Sequence, residues 1–347
     1  MGARFFVLCT RSCEENCEKA QAVVVREPNR VALETVTMPD PTDDDVVVRV
    51  THSWISPGTE GSFVRGERLD GETARTPTDP LPFPLVPGYQ KVGVAEWVGA
   101  NVHDIAIGDT VFAAMSYVDG VLFGFGSHVS PAVTPRSSIW AVPNYIDPVA
   151  FSGLVLTQVG YNCGMRPTVM PGDVAVVIGD GLVGHWAAQT LAHRGAQVML
   201  AGRHNQRLEH FSAPGCQLIN STQIDLRAAA AERAKQGIQV LIDTVGSVAT
   251  IEQLLPDMRH DGHIVSAGFH GSNGTIDIQR LRGRELTLHA PSGWRGQRME
   301  ATRTLIAQGA LQTIPLITHH FPITAAAEAF DIALNDRRAL GVILDWQ

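Results

Sequence analysis

One hexapeptide constrains this chain more than any other feature. Gly179-Asp180-Gly181-Leu182-Val183-Gly184 follows the apolar run Val174–Ile178 and precedes a helical pattern. Glycines at the first two places let the backbone turn tightly and approach a pyrophosphate. The third lets helix and strand pack closely, and the helix N-terminal amides attract the anion. Alone the spacing is weak evidence, but between a buried strand and a helix it predicts a dinucleotide-binding turn.

The surrounding rhythm agrees. From about Gly153, strand and helix alternate: Val174–Ile178, a helix over Gly184–His193, Val198–Ala201, a helix near Leu226–Gln236, Val240–Thr244 and Ile264–Ala267. That alternation predicts a parallel sheet with crossover helices. Upstream, Ala22–Val25, Val46–Val50, Gly93–Val98 and Thr110–Ala113 are short β-branched runs between Pro, Gly and Asp clusters, so this half reads as a strand-rich barrel or sandwich. Glu67–Phe83, with Gly71, Pro77, Pro80 and Pro82, reads as a long surface loop. A helix over Ala325–Leu334 and a strand over Gly341–Trp346 close the chain, and residues 1–20 read as an N-terminal extension.

A chain of 347 residues, 44% hydrophobic, holds enough apolar mass for two domains. A net charge of −8 argues against a nucleic-acid partner. No apolar run nears the roughly 20 residues of a bilayer crossing, so no membrane association is expected. Phe5–Leu8 is too short for a signal-peptide core, and Phe6 breaks a myristoylation pattern beginning at Gly2. Five cysteines rule out a fully paired disulfide framework, which makes a cytoplasmic location the expectation. Cys9, Cys13 and Cys17 would share one helical face, to bind a soft metal or simply to pack.

The second strand of the alternating half selects the dinucleotide. An NAD site usually places Asp or Glu about 20 residues past the glycines, on the ribose hydroxyls. Here the strand runs into Gly202-Arg203-His204-Asn205-Gln206-Arg207, with Arg203 at the place of the acid. A guanidinium pairs with a 2′-phosphate that a carboxylate would repel, so NADP is the expected cofactor. Arg203 and Arg207 also suit a solvated helix start.

With these segments in view, the chain resembles the medium-chain dehydrogenase/reductase superfamily over about Gln21–Gln347. The resemblance rests on Pro84-Leu85-Val86-Pro87-Gly88-Tyr89, Gly108-Asp109-Thr110-Val111, Pro171-Gly172-Asp173, Asp243-Thr244-Val245-Gly246 and Pro315-Leu316-Ile317-Thr318-His319 with Ala329-Phe330. Ile55-Ser56-Pro57-Gly58-Thr59-Glu60 and Pro84 to Tyr89 are most similar to the branch containing bacteriochlorophyllide a dehydrogenase. The resemblance implies an α/β fold: a GroES-like catalytic domain over 21–152, a Rossmann doubly wound parallel sheet over 153–290, and a return to the catalytic domain over 291–347. It also implies a homodimer, a small-molecule substrate, and cofactor contacts at Val245, Gly246, Gly268 and Phe269.

The departures from the family carry the chemistry. Zinc-dependent members have Cys in the place of Ser56, His-Glu in the place of Tyr89-Gln90 and another Cys near Leu154, and no Cys occurs between Cys17 and Cys163 for a structural zinc lobe. Hydroxyls and amides bind Zn²⁺ poorly beside thiolate and imidazole, so no metal is expected. Tyr89, Ser56, Thr59 and Glu60 are then the candidates to stabilise the alkoxide or relay its proton. Each also has a plain structural role, in a Pro-Gly turn, a pocket wall or a solvated loop.

His52 suits a proton relay or a strand edge, and His185 would approach the cofactor from the phosphate-binding helix. His319 and His320 should pack, and His270 lies beside the nicotinamide region. Trp54, Phe63 and Phe83 suggest an apolar pocket. The expected activity is zinc-independent, NADP-dependent hydride transfer to or from a carbonyl or secondary alcohol of a bulky apolar substrate. The alternatives are an enone or quinone reductase and a non-catalytic NADP-binding redox sensor.

Overall fold

Valine-rich runs pair antiparallel in the first half of the chain. A computed structural model describes residues 19–71, 73–121, 125–272 and 274–347. Most of the N-terminal extension, with Cys9, Cys13 and Cys17, lies outside the described residues. The chain enters through β1 (Lys19–Glu27), β2 (Arg30–Thr37) and β3 (Asp45–Ile55), then turns through α1 (Thr59–Val64). A small hairpin follows, β4 (Arg68–Asp70) against β5 (Thr73–Ala74). Then come β6 (Lys91–Val98), β7 (Thr110–Ala113), β8 (Ser116–Tyr117), β9 (Phe125–Gly126), β10 (Val129–Ser130), β11 (Ala132–Pro135) and β12 (Ile139–Ala141). The large sheet has the order β12-β7-β6-β3-β11-β8-β9, while β10, β1 and β2 form a second sheet.

The second half alternates as its rhythm predicts. After α2 (Leu154–Met165) come β13 (Val174–Ile178), α3 (Leu182–His193), β14 (Gln197–Gly202), α4 (Asn205–Leu208), β15 (Gln217–Asn220) and α5 (Leu226–Arg233). They are followed by β16 (Ile238–Asp243), α6 (Val248–Leu254), β17 (Met258–Ser266), α7 (Ile278–Arg282) and β18 (Thr287–His289). The order is β15-β14-β13-β16-β17-β18, all parallel. Successive strands step away from β13 in opposite directions, so a crevice opens where β13 and β16 end. Finally α8 (Gly296–Ala307), β19 (Ile317–Pro322), α9 (Ala326–Asn335) and β20 (Gly341–Asp345) bring the chain back, with β20 paired to β3.

Side-chain alternation explains why β13 is buried on both faces. Val176 and Ile178 pack with Leu226, Ala230, Ile251 and Leu254 from α5 and α6. Ala175 and Val177 pack the opposite way, with Cys163, Ala187 and Leu191 from α2 and α3. Each fully buried Val, Ile or Leu contributes roughly 1.5–3 kcal/mol relative to exposure, which anchors the turn above this strand.

Two readings need correction. The helix after the glycines begins at Leu182, so Gly184 lies inside its first turn and Gly181 caps it in extended conformation. Within Glu67–Phe83 the chain forms the β4–β5 hairpin rather than loop alone. Its Arg68 is buried, because the guanidinium donates to Ser62 Oγ and to the Gly71 carbonyl and so satisfies the turn from inside.

Candidate active site

The glycine turn forms one wall of a cavity of about 580 Å³. Gly179 has φ +121°, and a Cβ there would stand 2.1 Å from Thr244 Oγ1. A Cβ on Gly184 would stand 1.9 Å from the Gly179 carbonyl oxygen, so helix and turn touch as backbones. At Gly181 a Cβ would meet nothing within 4 Å, because this residue faces the cavity. Open space over a glycine at the head of a helix is the cradle that a dinucleotide pyrophosphate requires, so the residues fit such a cofactor. Leu182, Val183, Val245, Gly268 and Phe269 line the same cavity. The buried Asp243 carboxylate accepts hydrogen bonds from the amides of Val245, Gly246 and Ser247 and shapes that side of the rim.

At the end of β14 the structure supplies the carboxylate that the strand itself lacks. Asp180 folds over Gly202, and its Oδ2 accepts from the Arg203 amide at 2.7 Å, the His204 amide at 2.9 Å and His204 Nδ1 at 3.0 Å. The strand itself lacks an acid, as its sequence reads, but one arrives from the glycine turn with its Oδ2 held by two backbone amides and its Oδ1 3.9 Å from Arg207 Nη1. The Arg203 side chain is exposed. Arg207 lines the cavity and donates to the Asp336 carbonyl at 3.0 Å.

Across the cavity, Tyr89 donates its hydroxyl to Ser56 Oγ at 2.6 Å. Ser56 follows β3, and Thr59 and Glu60 open α1, so one turn brings three of the four catalytic candidates together. Glu60 is 1% exposed, not a solvated loop carboxylate; its Oε1 accepts from the Ser56 amide at 2.9 Å. Thr59 and Tyr89 also border a second, apolar chamber of about 350 Å³, walled by Phe63, Leu85, Val86, Met115, Val155 and Trp294. Trp294 stacks on Tyr89 with ring centroids 6.1 Å apart. Of the three aromatics expected at a pocket, only Phe63 lines this chamber. Trp54 is fully buried against Trp186, and Phe83 packs in the core beneath α9.

The donor set does not suit zinc. The positions that would ligate it present two hydroxyls bonded to each other and, at Gln90, a buried amide whose Oε1 accepts from the Leu156 amide. Among the described residues no group of three or more His, Cys, Asp and Glu is placed to hold a metal ion.

The histidines divide sharply. His185 does not reach the cofactor cavity: it is buried beneath α3 with its ring edge on Phe211. His52 stands 3.6 Å from Asp345 on β20, away from both cavities, and burial pulls its pKa down. His319 stacks on Phe321, as packing predicts, whereas His320 is exposed and bonds Asp345. His270 does line the cofactor cavity, held by Ser266 Oγ at 2.8 Å. Sequence reasoning missed His128, whose Nε2 lies 2.8 Å from Glu60 Oε2, and Arg68, whose guanidinium stacks 3.9 Å over the Phe269 ring. It also missed Trp294. None of the three belongs to a motif.

Comparison with known proteins finds dehydrogenases. A family model described as zinc-binding dehydrogenase matches residues 183–308, which excludes the Ser56 and Tyr89 positions. The 2-desacetyl-2-hydroxyethyl bacteriochlorophyllide A dehydrogenase of Cereibacter sphaeroides is 28% identical over 337 residues, covering 95% of this chain and 99% of that one. Among solved structures, a protein from Sinorhizobium meliloti described as a zinc-binding dehydrogenase, bound to NADP, superposes with TM-score 0.80 at 19% identity over 95% of this chain and 100% of its own. An Escherichia coli protein described as a short chain alcohol dehydrogenase, complexed with NADH, superposes with TM-score 0.81 at 21% identity, over 94% of this chain and 99% of its own. In its glycine turn, its strand order and these matches together, the chain has the fold of the medium-chain dehydrogenases/reductases and is similar to them in sequence.

Proposed function

We propose that this protein is a zinc-independent, NADP-dependent oxidoreductase that moves a hydride between nicotinamide and a carbonyl or secondary alcohol of a bulky apolar substrate. One observation carries the reading. The glycine-turn cavity and the apolar chamber share Thr59, Tyr89, Val159 and Gly293, and the Ser56–Tyr89 hydroxyl pair stands at this junction. The relative named for a hydroxyethyl-bearing bacteriochlorophyllide supports alcohol–carbonyl chemistry. Neighbours holding NADP and NADH share the fold, so the preference for NADP rests on Arg203 and Arg207.

A bound nicotinamide supplies or accepts the hydride. Gly179 to Gly184 would hold its pyrophosphate, Gly202, Arg203, His204 and Arg207 would bind the adenosine phosphate, and Val245, Gly246, Gly268 and Phe269 would hold the nicotinamide end. The chain must also stabilise the oxygen that gains charge. Tyr89 donates to that oxygen, Ser56 orients the phenol, and Thr59 offers a second hydroxyl beside it. Glu60 steadies the turn that carries Ser56. The apolar chamber strengthens these hydrogen bonds by excluding water.

The domain limits 21–152, 153–290 and 291–347 belong to this reading, supported by the pairing of β20 with β3. So does a homodimer joined along β18, an edge strand with Leu288 exposed. The test is a panel of one enone, one quinone and one secondary alcohol, followed at the NADPH absorbance band before and after dialysis against a chelator. Oxidation of the alcohol, unchanged by the chelator, supports the proposal. Consumption of the enone alone gives carbon–carbon double-bond chemistry, and cofactor binding without any turnover gives a redox sensor.

A further inference from the structure

Glu60 presents a problem that its own turn does not solve. A carboxylate at 1% exposure, beside an apolar chamber, is costly unless its oxygens are paired. The Ser56 amide satisfies Oε1, and the remaining oxygen faces His128, which is wholly buried and stands just before β10, 68 residues along the chain.

The donors run in one direction along this contact. Trp346 Nε1 donates to Ser53 Oγ at 2.8 Å, which leaves the Ser53 hydroxyl proton for His128 Nδ1, also at 2.8 Å. A neutral imidazole accepting there carries its proton on Nε2, aimed at Glu60 Oε2 2.8 Å away. Phe330 packs its edge against the ring and fixes its plane. The Glu60 amide in turn donates to the Ser56 carbonyl at 2.9 Å, so Ser56 and Glu60 are tied twice.

We propose that His128 is a positioning residue: it pins the Glu60 carboxylate against the Ser56 amide, and through that turn it sets the Ser56–Tyr89 hydroxyl pair at the cavity wall. Without His128 a buried carboxylate loses one of its two partners and turns toward the chamber, taking the Ser56 turn with it. The consequence for turnover rests on the proposed function, whereas the placement of the hydroxyl pair does not.

The test therefore reads the pair directly. Protein labelled with ¹³C at tyrosine Cζ gives four resonances, one per tyrosine, and Tyr89→Phe assigns that of Tyr89. His128→Leu should displace it, His128→Gln, which can donate and accept in the same places, should restore it, and Glu60→Gln should move it as His128→Leu does. In the Glu60→Gln background, His128→Leu should then add less than a third of its single effect. A Tyr89 resonance unmoved by His128→Leu or by Glu60→Gln, or fully additive shifts, overturns the proposal. If His128→Leu alone fails to fold, the double variant, which buries no unpaired carboxylate, must fold and carry the Glu60→Gln resonance. A double variant that also fails to fold overturns it, because His128 then serves packing alone. None of these readouts depends on turnover, so failure of the activity panel leaves the inference separately decided.

Discussion

The Tyr89 hydroxyl donates to Ser56 Oγ at 2.6 Å, so the wall of the glycine-turn cavity carries two hydroxyls bonded to each other. In the proposed function this pair is a preset proton donor with an oriented phenol. A phenol so held can switch to a developing alkoxide without first being freed from bulk water.

Tyr89→Phe should therefore lower kcat about 10²- to 10³-fold, the usual cost of one oxyanion donor, with KM changed only a few-fold. Ser56→Ala should cost less, because it removes the orienting acceptor and keeps the donor. Both variants should lose only about 0.5–1.5 kcal/mol of stability in urea unfolding. Equal kcat for Tyr89→Phe and wild type would remove Tyr89 from the chemistry.

Much of the frame was legible because local pattern and burial agree. Val174–Ile178 and Thr110–Ala113 form strands with those very limits, each a β-branched run whose two faces are both covered or nearly so. The site was legible only where chemistry is written in adjacent residues, as in the glycine turn and Ser56 to Glu60. Asp180 reaches residues 23 and 24 places away, and Glu60 meets His128 across 68. Trp294 reaches Tyr89 across the whole cofactor sheet. Such contacts are set by how strands stack, and no short-range periodicity encodes them.

Two glycines of the turn should separate folding from binding. Gly181 has φ −86° and ψ 178°, values open to any residue, and a Cβ there points into open space. Gly181→Ala should stay within about 0.5 kcal/mol of wild type, while NADPH affinity falls at least about tenfold, or about 1.4 kcal/mol. Gly184→Ala drives a Cβ into the Gly179 carbonyl and should cost about 1–3 kcal/mol of stability. Thermal unfolding and NADPH fluorescence titration together decide it; normal NADPH binding by Gly181→Ala would move the pyrophosphate elsewhere.

Coenzyme choice should depend on Arg203 and Asp180 in opposite ways. Wild type should bind NADPH at least about tenfold more tightly than NADH. Arg203→Ala should lose about 1.5–3 kcal/mol of NADPH affinity and leave NADH within about twofold, as loss of a charge-assisted pair requires. Asp180→Asn weakens the acceptor for the Arg203 and His204 amides and should weaken both cofactors alike. If Asp180 instead received the ribose hydroxyls, the wild type would prefer NADH and Asp180→Asn would harm NADH most.

The buried imidazole of His185 should make the protein acid-sensitive independently of its chemistry. The ring is wholly buried, neither nitrogen makes a well-formed hydrogen bond among the described residues, and burial, with His210 nearby, pushes its pKa down from 6.5 to about 4. The unfolded chain binds a proton at this residue near pH 6.5, whereas the folded chain refuses it until about pH 4. Stability from this residue is thus fully present above pH 6.5 and is lost as pH falls between these values, by about 3 kcal/mol in all. Below pH 4 the loss is complete. His185→Leu removes the titrating group and places an apolar side chain against Phe211. It should match wild type in urea at pH 7.5 and exceed it at pH 4.5. Burial also lowers the pKa of His52, His263 and His289, so a smaller acid slope persists in the variant. Parallel curves for wild type and His185→Leu between pH 7.5 and 4.5 would place the acid sensitivity elsewhere.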